Sequence, residues 1–156
     1  MVYSVRYGFT QRFEVLAQKA YQWCTTYDPT DHVLMGDKDG KRSINRVADS
    51  TIILTDTFPD GKGGAVTKKK LVELYPETLS YNATHLTGPL KYSQFSYVIT
   101  ADGAEASHLD FRGLYLDYED KNLDEAAITR IANQLCKDDA AAWKLLAKAM
   151  AKDFGK

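Results

Sequence analysis

The sequence predicts an α+β fold: one curved antiparallel sheet of about seven strands around a long C-terminal helix, with two short helices after the first strand. Three observations carry this. Between residues 41 and 118 six strand-like segments follow one another with connections too short for crossover helices, which forces antiparallel pairing. Ahead of them, a segment of period two gives way to helical spacing. Behind them, residues 122–154 hold a helical apolar stripe; about 33 residues at 1.5 Å each give roughly 50 Å, longer than a single strand. Such a helix has to lie across a broad or curved sheet.

Taken in order, residues 2–10 alternate, with Tyr3, Val5, Tyr7 and Phe9 on one side and Ser4, Arg6 and Gly8 on the other, as in a half-buried strand. Thr10 is placed to cap a helix over 11–25, whose buried side is expected to carry Phe13, Leu16, Ala17, Ala20 and Trp23. A second short helix is expected from Pro29, capped by Asp28, with Met35 near its end and Gly36 closing it. The strands follow at 41–48, 51–58, 65–74, 78–87, 90–100 and 105–118. Asp49-Ser50 marks one turn, and Asp102-Gly103 is the strongest hairpin signal, because that pair readily supplies positive φ. Asp124 and Glu125 suit the positive end of the last helix, and Lys148 and Lys152 its other end.

Length and composition bound the function. The 156 residues are read as one domain, large enough to bury a core. With 44% hydrophobic and 26% charged residues the chain is not of the disordered class. A net charge of −1 gives no global attraction to nucleic acid or to an anionic membrane. The run Lys68-Lys69-Lys70 reads as the solvated face of a strand. No apolar stretch approaches the 18 residues of a membrane span, and the N-terminus lacks a signal core, so a cytoplasmic protein without stable membrane insertion is expected. Two distant cysteines, Cys24 and Cys136, make no disulfide framework. Gly61-Lys62-Gly63-Gly64 is not a phosphate loop, and His32, His85 and His108 lack ligand spacing, so no metal and no cofactor are expected.

The element order, together with YSVRYGFTQRFEVLAQKAYQWCTTYDP, resembles the helix-grip proteins. In that segment a first strand runs into a helix whose Trp23 precedes the turn at Asp28-Pro29. The family is the START-related (SRPBCC) superfamily, which includes birch pollen allergen-like proteins and the polyketide cyclase/dehydrase-like group. The likeness covers nearly the whole chain but contains no catalytic motif, so it assigns no active-site residue. It implies a strongly curved sheet gripping the long helix, with a cavity between them that usually holds an apolar or amphipathic small molecule. Since the family includes enzymes, carriers and proteins with no assigned role, fold alone does not give function.

Candidate cavity residues come from the helix stripe and the tyrosine-rich sheet. Asp139 lies roughly 20° from Ile128 around the helix, in the middle of the stripe through Ile131, Leu135, Ala142, Leu146 and Met150. A buried carboxylate must be solvated, paired or protonated. Either it faces a cavity, with Ala140, Ala141 and Ala142 leaving room and Trp143 walling the space, or the helix is locally turned and Asp139 is wet. On the sheet, Tyr81 and His85 share a strand face, where each either lines a polar spot or packs without special role, and Tyr97 joins them as a candidate. His108, Asp110 and Arg112 are expected on the outer face, opposite Leu109, Phe111, Gly113 and Tyr115. The ligand-binding candidates are therefore Asp139, Trp143, Tyr81, His85, Tyr97 and Leu135, with no residue assigned a catalytic role.

Three functional classes remain. A carrier or sensor needs volume and an apolar lining. A cyclase- or hydratase-type enzyme acting on a carbonyl compound needs at least two polar groups converging in the cavity, with Asp139 or His85 as acid or base. An interaction module would have a collapsed cavity and bind through its outer sheet face. The carrier is favoured, since no convergent pair is evident in the sequence. The expected partner is a small apolar or amphipathic molecule, not nucleic acid, with the chain a monomer or homodimer.

Overall fold

The computed structural model describes residues 2–34, 37–118 and 122–156. The chain runs β1 (Tyr3–Phe13), α1 (Ala17–Thr26), α2 (Asp31–Leu34), β2 (Lys41–Ala48), β3 (Thr51–Pro59), β4 (Ala65–Tyr75), β5 (Ser80–His85), β6 (Gln94–Asp102), β7 (Ala106–Asp117) and α3 (Glu125–Asp153). The seven strands form one antiparallel sheet in the order β1-β7-β6-β5-β4-β3-β2. This is the helix-grip fold: six strands meander, and the first strand returns beside the last.

Alternation selects the inner face. Ile52, Leu54, Val72, Tyr81, Ile99, Leu109 and Phe111 are buried there with Val5 and Phe13 from β1. Each buried aliphatic side chain contributes about 1.5–3 kcal/mol. Asp110 and Arg112 fall on the opposite face, where Thr10 donates to Asp110 at 2.9 Å across the β1–β7 pair. The Asp102-Gly103 turn is present, with Gly103 at φ +78° and Asp102 paired to Ala106.

The largest departure from the expected elements lies at the start. Residues 11–13 belong to β1, not to a helix, and Thr10 is a strand residue. Phe13 sits opposite Ser107 and its ring meets Trp143 at 6.2 Å, so packing and strand pairing override a helical spacing that Phe13 also satisfies. The helix begins only at Ala17, after Leu16, which is an exposed N-cap residue and not part of the buried side. α2 is a single turn starting at Asp31; Asp28 accepts from the Thr30 backbone N–H at 2.8 Å, and the expected end at Met35-Gly36 lies outside the described residues. β5 and β6 are shorter than expected, because Pro76–Thr78 form a 3-10 turn and a loop over 86–93 carries Tyr92 at φ +66°.

α3 spans 29 residues, roughly 44 Å. Asp124 caps it by accepting from the Ala127 N–H at 2.7 Å. It packs mainly on β1, with the Cys136 thiol 3.4 Å from the Gly8 carbonyl. Only Met150 of α3 is fully buried. Leu135, Ala142 and Leu146 of its apolar stripe are half-buried and front open space.

Candidate functional site

A cavity of about 410 Å³ lies between the inner sheet face, α1 and α3. All six residues singled out from the sequence border it: Leu135, Asp139 and Trp143 on α3, and Tyr81, His85 and Tyr97 on the sheet. The α3 stripe supplies Ala142 and Leu146 as well. Of the two alternatives for Asp139, the half-buried carboxylate takes the cavity-facing one.

The middle of the cavity is aromatic. Tyr81 and Tyr97 are direct cross-strand partners whose rings stack at 4.3 Å and 5°. Trp143 lies 5.8 Å from Tyr97, and Tyr27 meets Tyr81 edge-on at 6.4 Å. Tyr27 ends α1 with φ +53°, a left-handed conformation that disfavours a residue with a Cβ and is usually given to glycine. That conformation throws its ring toward Tyr81 and under the Arg42 guanidinium, 5.9 Å away. The Tyr81 hydroxyl engages the buried Cys24 thiol; burial, only partly offset by that contact, pushes the thiol up to about 12.

Two polar groups border this aromatic floor. At the first, the Tyr7 hydroxyl donates to Asp139. Burial raises the Asp139 pKa, the Tyr7 hydrogen bond pulls against it, and Asp138 adds to the rise. Tyr7 is itself pushed up, first by burial and then by the carboxylate it serves. Gly113 makes the geometry possible, since a Cβ there would stand 2.6 Å from the Tyr7 ring. Neither Arg46 nor Arg112 pairs with Asp139: Arg112 lies on the outer face and Arg46 donates to the Asp49 carbonyl.

At the second, Arg42 grips both oxygens of Asp56, at 2.7 and 3.0 Å, with side chains only 7% and 5% exposed. Asp31 adds a longer contact to Arg42 at 3.4 Å. Burial works against ionised Asp56, but the Arg42 hydrogen bonds and the Lys70 charge hold it below its usual range. Lys70 stands 3.4 Å from the same carboxylate. Lys68 lies over the Phe58 ring at 5.4 Å. The lysine run is thus corrected. With period two, Lys68 and Lys70 turn into the cavity and only Lys69 is fully exposed, because Asp56 and Phe58 on β3 supply partners for cations on the inner face. His85, in register with Lys70, completes this end; its Nδ1 is buried without a partner.

Sequence reasoning missed Tyr7, Arg42, Asp56 and the inward lysines as site residues. Tyr7 was placed on the correct face of β1, but nothing in the sequence fixes how far along β1 the helix sits. Among the described residues, no group of three or more His, Cys, Asp or Glu side chains is arranged to hold a metal ion. No described helix is long and apolar enough to cross a membrane.

No family model and no curated protein matches the chain. Solved structures do. A Streptomyces aromatase/cyclase, Zhui, aligns with a TM-score of 0.69 at 13% identity, over 96% of each chain. Norcoclaurine synthase from Thalictrum flavum, solved with dopamine and hydroxybenzaldehyde, gives 0.66 at 14%, covering 97% of this chain and 88% of that one. The protein Ara h 8.0201 gives 0.63 at 12%, covering 97% and 99%. At these identities the likeness is one of fold, and it is the fold the resemblance implied: a curved sheet, a long C-terminal helix and a space between them.

Proposed function

We propose that the chain binds a small apolar or amphipathic molecule in the cavity between the sheet and α3, as a carrier or sensor. The observation that carries this reading is the cavity itself. At about 410 Å³ it falls in the range of small-molecule sites, and its walls are aromatic with a few polar groups at defined places. An open cavity of this size weighs against an interaction module with a collapsed interior. Among the neighbours, norcoclaurine synthase was solved with two small aromatic molecules, which fits the same use of the fold. Native mass spectrometry of the purified protein, followed by Nile red titration of the ligand-stripped protein, tests the reading. A co-purifying small molecule, or saturable dye uptake lost in Trp143→Ala and Tyr97→Ala, supports it. Folded protein that takes up neither overturns it.

A second reading is favoured by one specific observation. Tyr7 and Asp139 form the convergent polar pair that the sequence did not reveal. A carboxylate with a raised pKa beside a phenol is equipped for general acid/base work on a carbonyl compound, as a cyclase or hydratase requires. The two readings separate under Tyr7→Phe. A carrier keeps ligand affinity within a few-fold, whereas an enzyme loses turnover by about 10² or more.

A further inference from the structure

We propose that the end of the cavity formed by Lys68, Lys70 and His85 receives the anionic group, a carboxylate or a phosphate, of an amphipathic ligand whose apolar body lies on Tyr81, Tyr97 and Trp143. This rests on the cavity-binding reading and adds the chemical class of the ligand's head.

Charge balance is the first argument. Three cations, Arg42, Lys68 and Lys70, meet two carboxylates, Asp56 and Asp31. Arg42 already engages both Asp56 oxygens and reaches Asp31 as well. Lys70 has only a 3.4 Å contact to an oxygen that Arg42 holds at 3.0 Å. Lys68 has the face of Phe58 and, among the described residues, no carboxylate. One positive charge is therefore left uncompensated in a partly buried place, where an incoming anion is attracted most strongly.

His85 is the second and independent argument. Its side chain borders the cavity, the residue is 6% exposed, and its Nδ1 has no hydrogen-bond partner. Buried polar atoms are nearly always satisfied, so this one points to a group the cavity is shaped to receive. Its Phe95 neighbour, edge-on at 5.3 Å, fixes the ring without supplying a hydrogen bond. The charges acting on His85 agree. Burial, then Lys70 and Lys68, hold its pKa down to about 4, with Asp56 opposing only weakly. An anion beside it would reverse that balance and allow Nδ1–H to donate.

Position is the third. Asp139 is held by Tyr7 on β1, whereas Lys68, Lys70 and His85 lie on β4 and β5 with β7 and β6 in between, so the carboxylate and the lysine end of the cavity are separate. A ligand anion is drawn to one and repelled by the other. This orients the molecule along the aromatic floor.

Calorimetric titration of the full chain at pH 7 with octanoate, octyl phosphate and the neutral octanamide tests this. At least one anion should bind about tenfold or more tightly than the amide, and the tighter of the two names the head group. Lys70→Met and His85→Leu should each bring that ratio to within about twofold. Lys68→Met, at a half-buried position, gives the same readout should either of the other variants fail to fold. Octanamide binding as well as both anions, or an anion preference that survives the substitutions, overturns the proposal and leaves the cavity reading standing. If none of the three probes binds while Nile red still does, the proposal falls and the cavity reading stands; if Nile red fails as well, both fall.

Discussion

Asp139 and His85 are two titratable side chains in one cavity, and burial moves them in directions that oppose each other in stability. The Asp139 pKa is raised, so the folded state disfavours its ionised form; the penalty is present above that pKa and relieved as pH falls through it. Asp139→Asn should therefore be neutral or stabilising at pH 7 by urea unfolding, since Asn still accepts from Tyr7, and the gain should fade in acid. His85 behaves the other way. Its neutral form is kept down to about pH 4 in the fold, against 6.5 ordinarily. Above 6.5 both states are neutral and its contribution is flat. As pH falls from 6.5 toward 4 the unfolded chain takes up a proton that the folded chain refuses, and stability drops by about 3 kcal/mol. His85→Leu should lose that slope relative to the parent protein. Strand and helix periodicity put both on an apolar side of their elements, with a wet Asp139 on a locally turned helix left open as the alternative. Their partners were not legible, because an inward direction does not say which side chain waits opposite.

Gly113 on β7 and Trp23 on α1 show what elements need from single positions. Alanine at Gly113 would put a methyl into the Tyr7 ring. Gly113→Ala should destabilise by about 1–3 kcal/mol and lift the Asp139 pKa further as the Tyr7 hydrogen bond is lost, which carboxyl NMR would register. Trp23 is half-buried against the core, and its indole N–H donates to Asp153 at 2.8 Å, tying α1 to the last turn of α3. Trp23→Ala should cost about 2–3 kcal/mol in urea unfolding, whereas Asp153→Ala should cost about 1 kcal/mol. Element order and the strand faces could be read from the sequence because turn signals and period two are local. The Arg42–Asp56 pair could not. Counting outward from the tight Asp49-Ser50 turn sets Arg42 opposite Thr57, and the bulge between Arg46 and Ala48 shifts it by one to Asp56. β1 was misjudged at its end for a related reason, since Phe13 fits both a helix stripe and a strand face.

For the molecule as a whole, the cavity means that α3 holds its place with an incompletely packed face. Filling that space with a ligand adds contacts the empty protein lacks. A bound probe at a hundred times its dissociation constant should raise unfolding stability by about 2.7 kcal/mol, measurable as a shift in the thermal midpoint. A ligand that lies elsewhere on the surface would give the same shift in Trp143→Ala and Tyr97→Ala, so loss of the shift in those variants places it in the cavity.

The pairing of β1 with β7 joins Tyr3 to Asp117 and Phe13 to Ser107, so the first strand takes its neighbour from the far side of the meander. During synthesis β1 emerges early with a hydrogen-bonding edge and an inward row of Val5, Tyr7 and Phe9, yet its partner is made about a hundred residues later. At roughly 5–20 residues per second on the ribosome, that interval lasts on the order of 5 to 20 seconds. For that time the apolar side of β1 has only transient company, and the hairpins from β2 to β6 can assemble without it. Closing so long a loop last makes final assembly slow. It also leaves β1 exposed to chaperones and to neighbouring copies for longer than any later strand of the sheet.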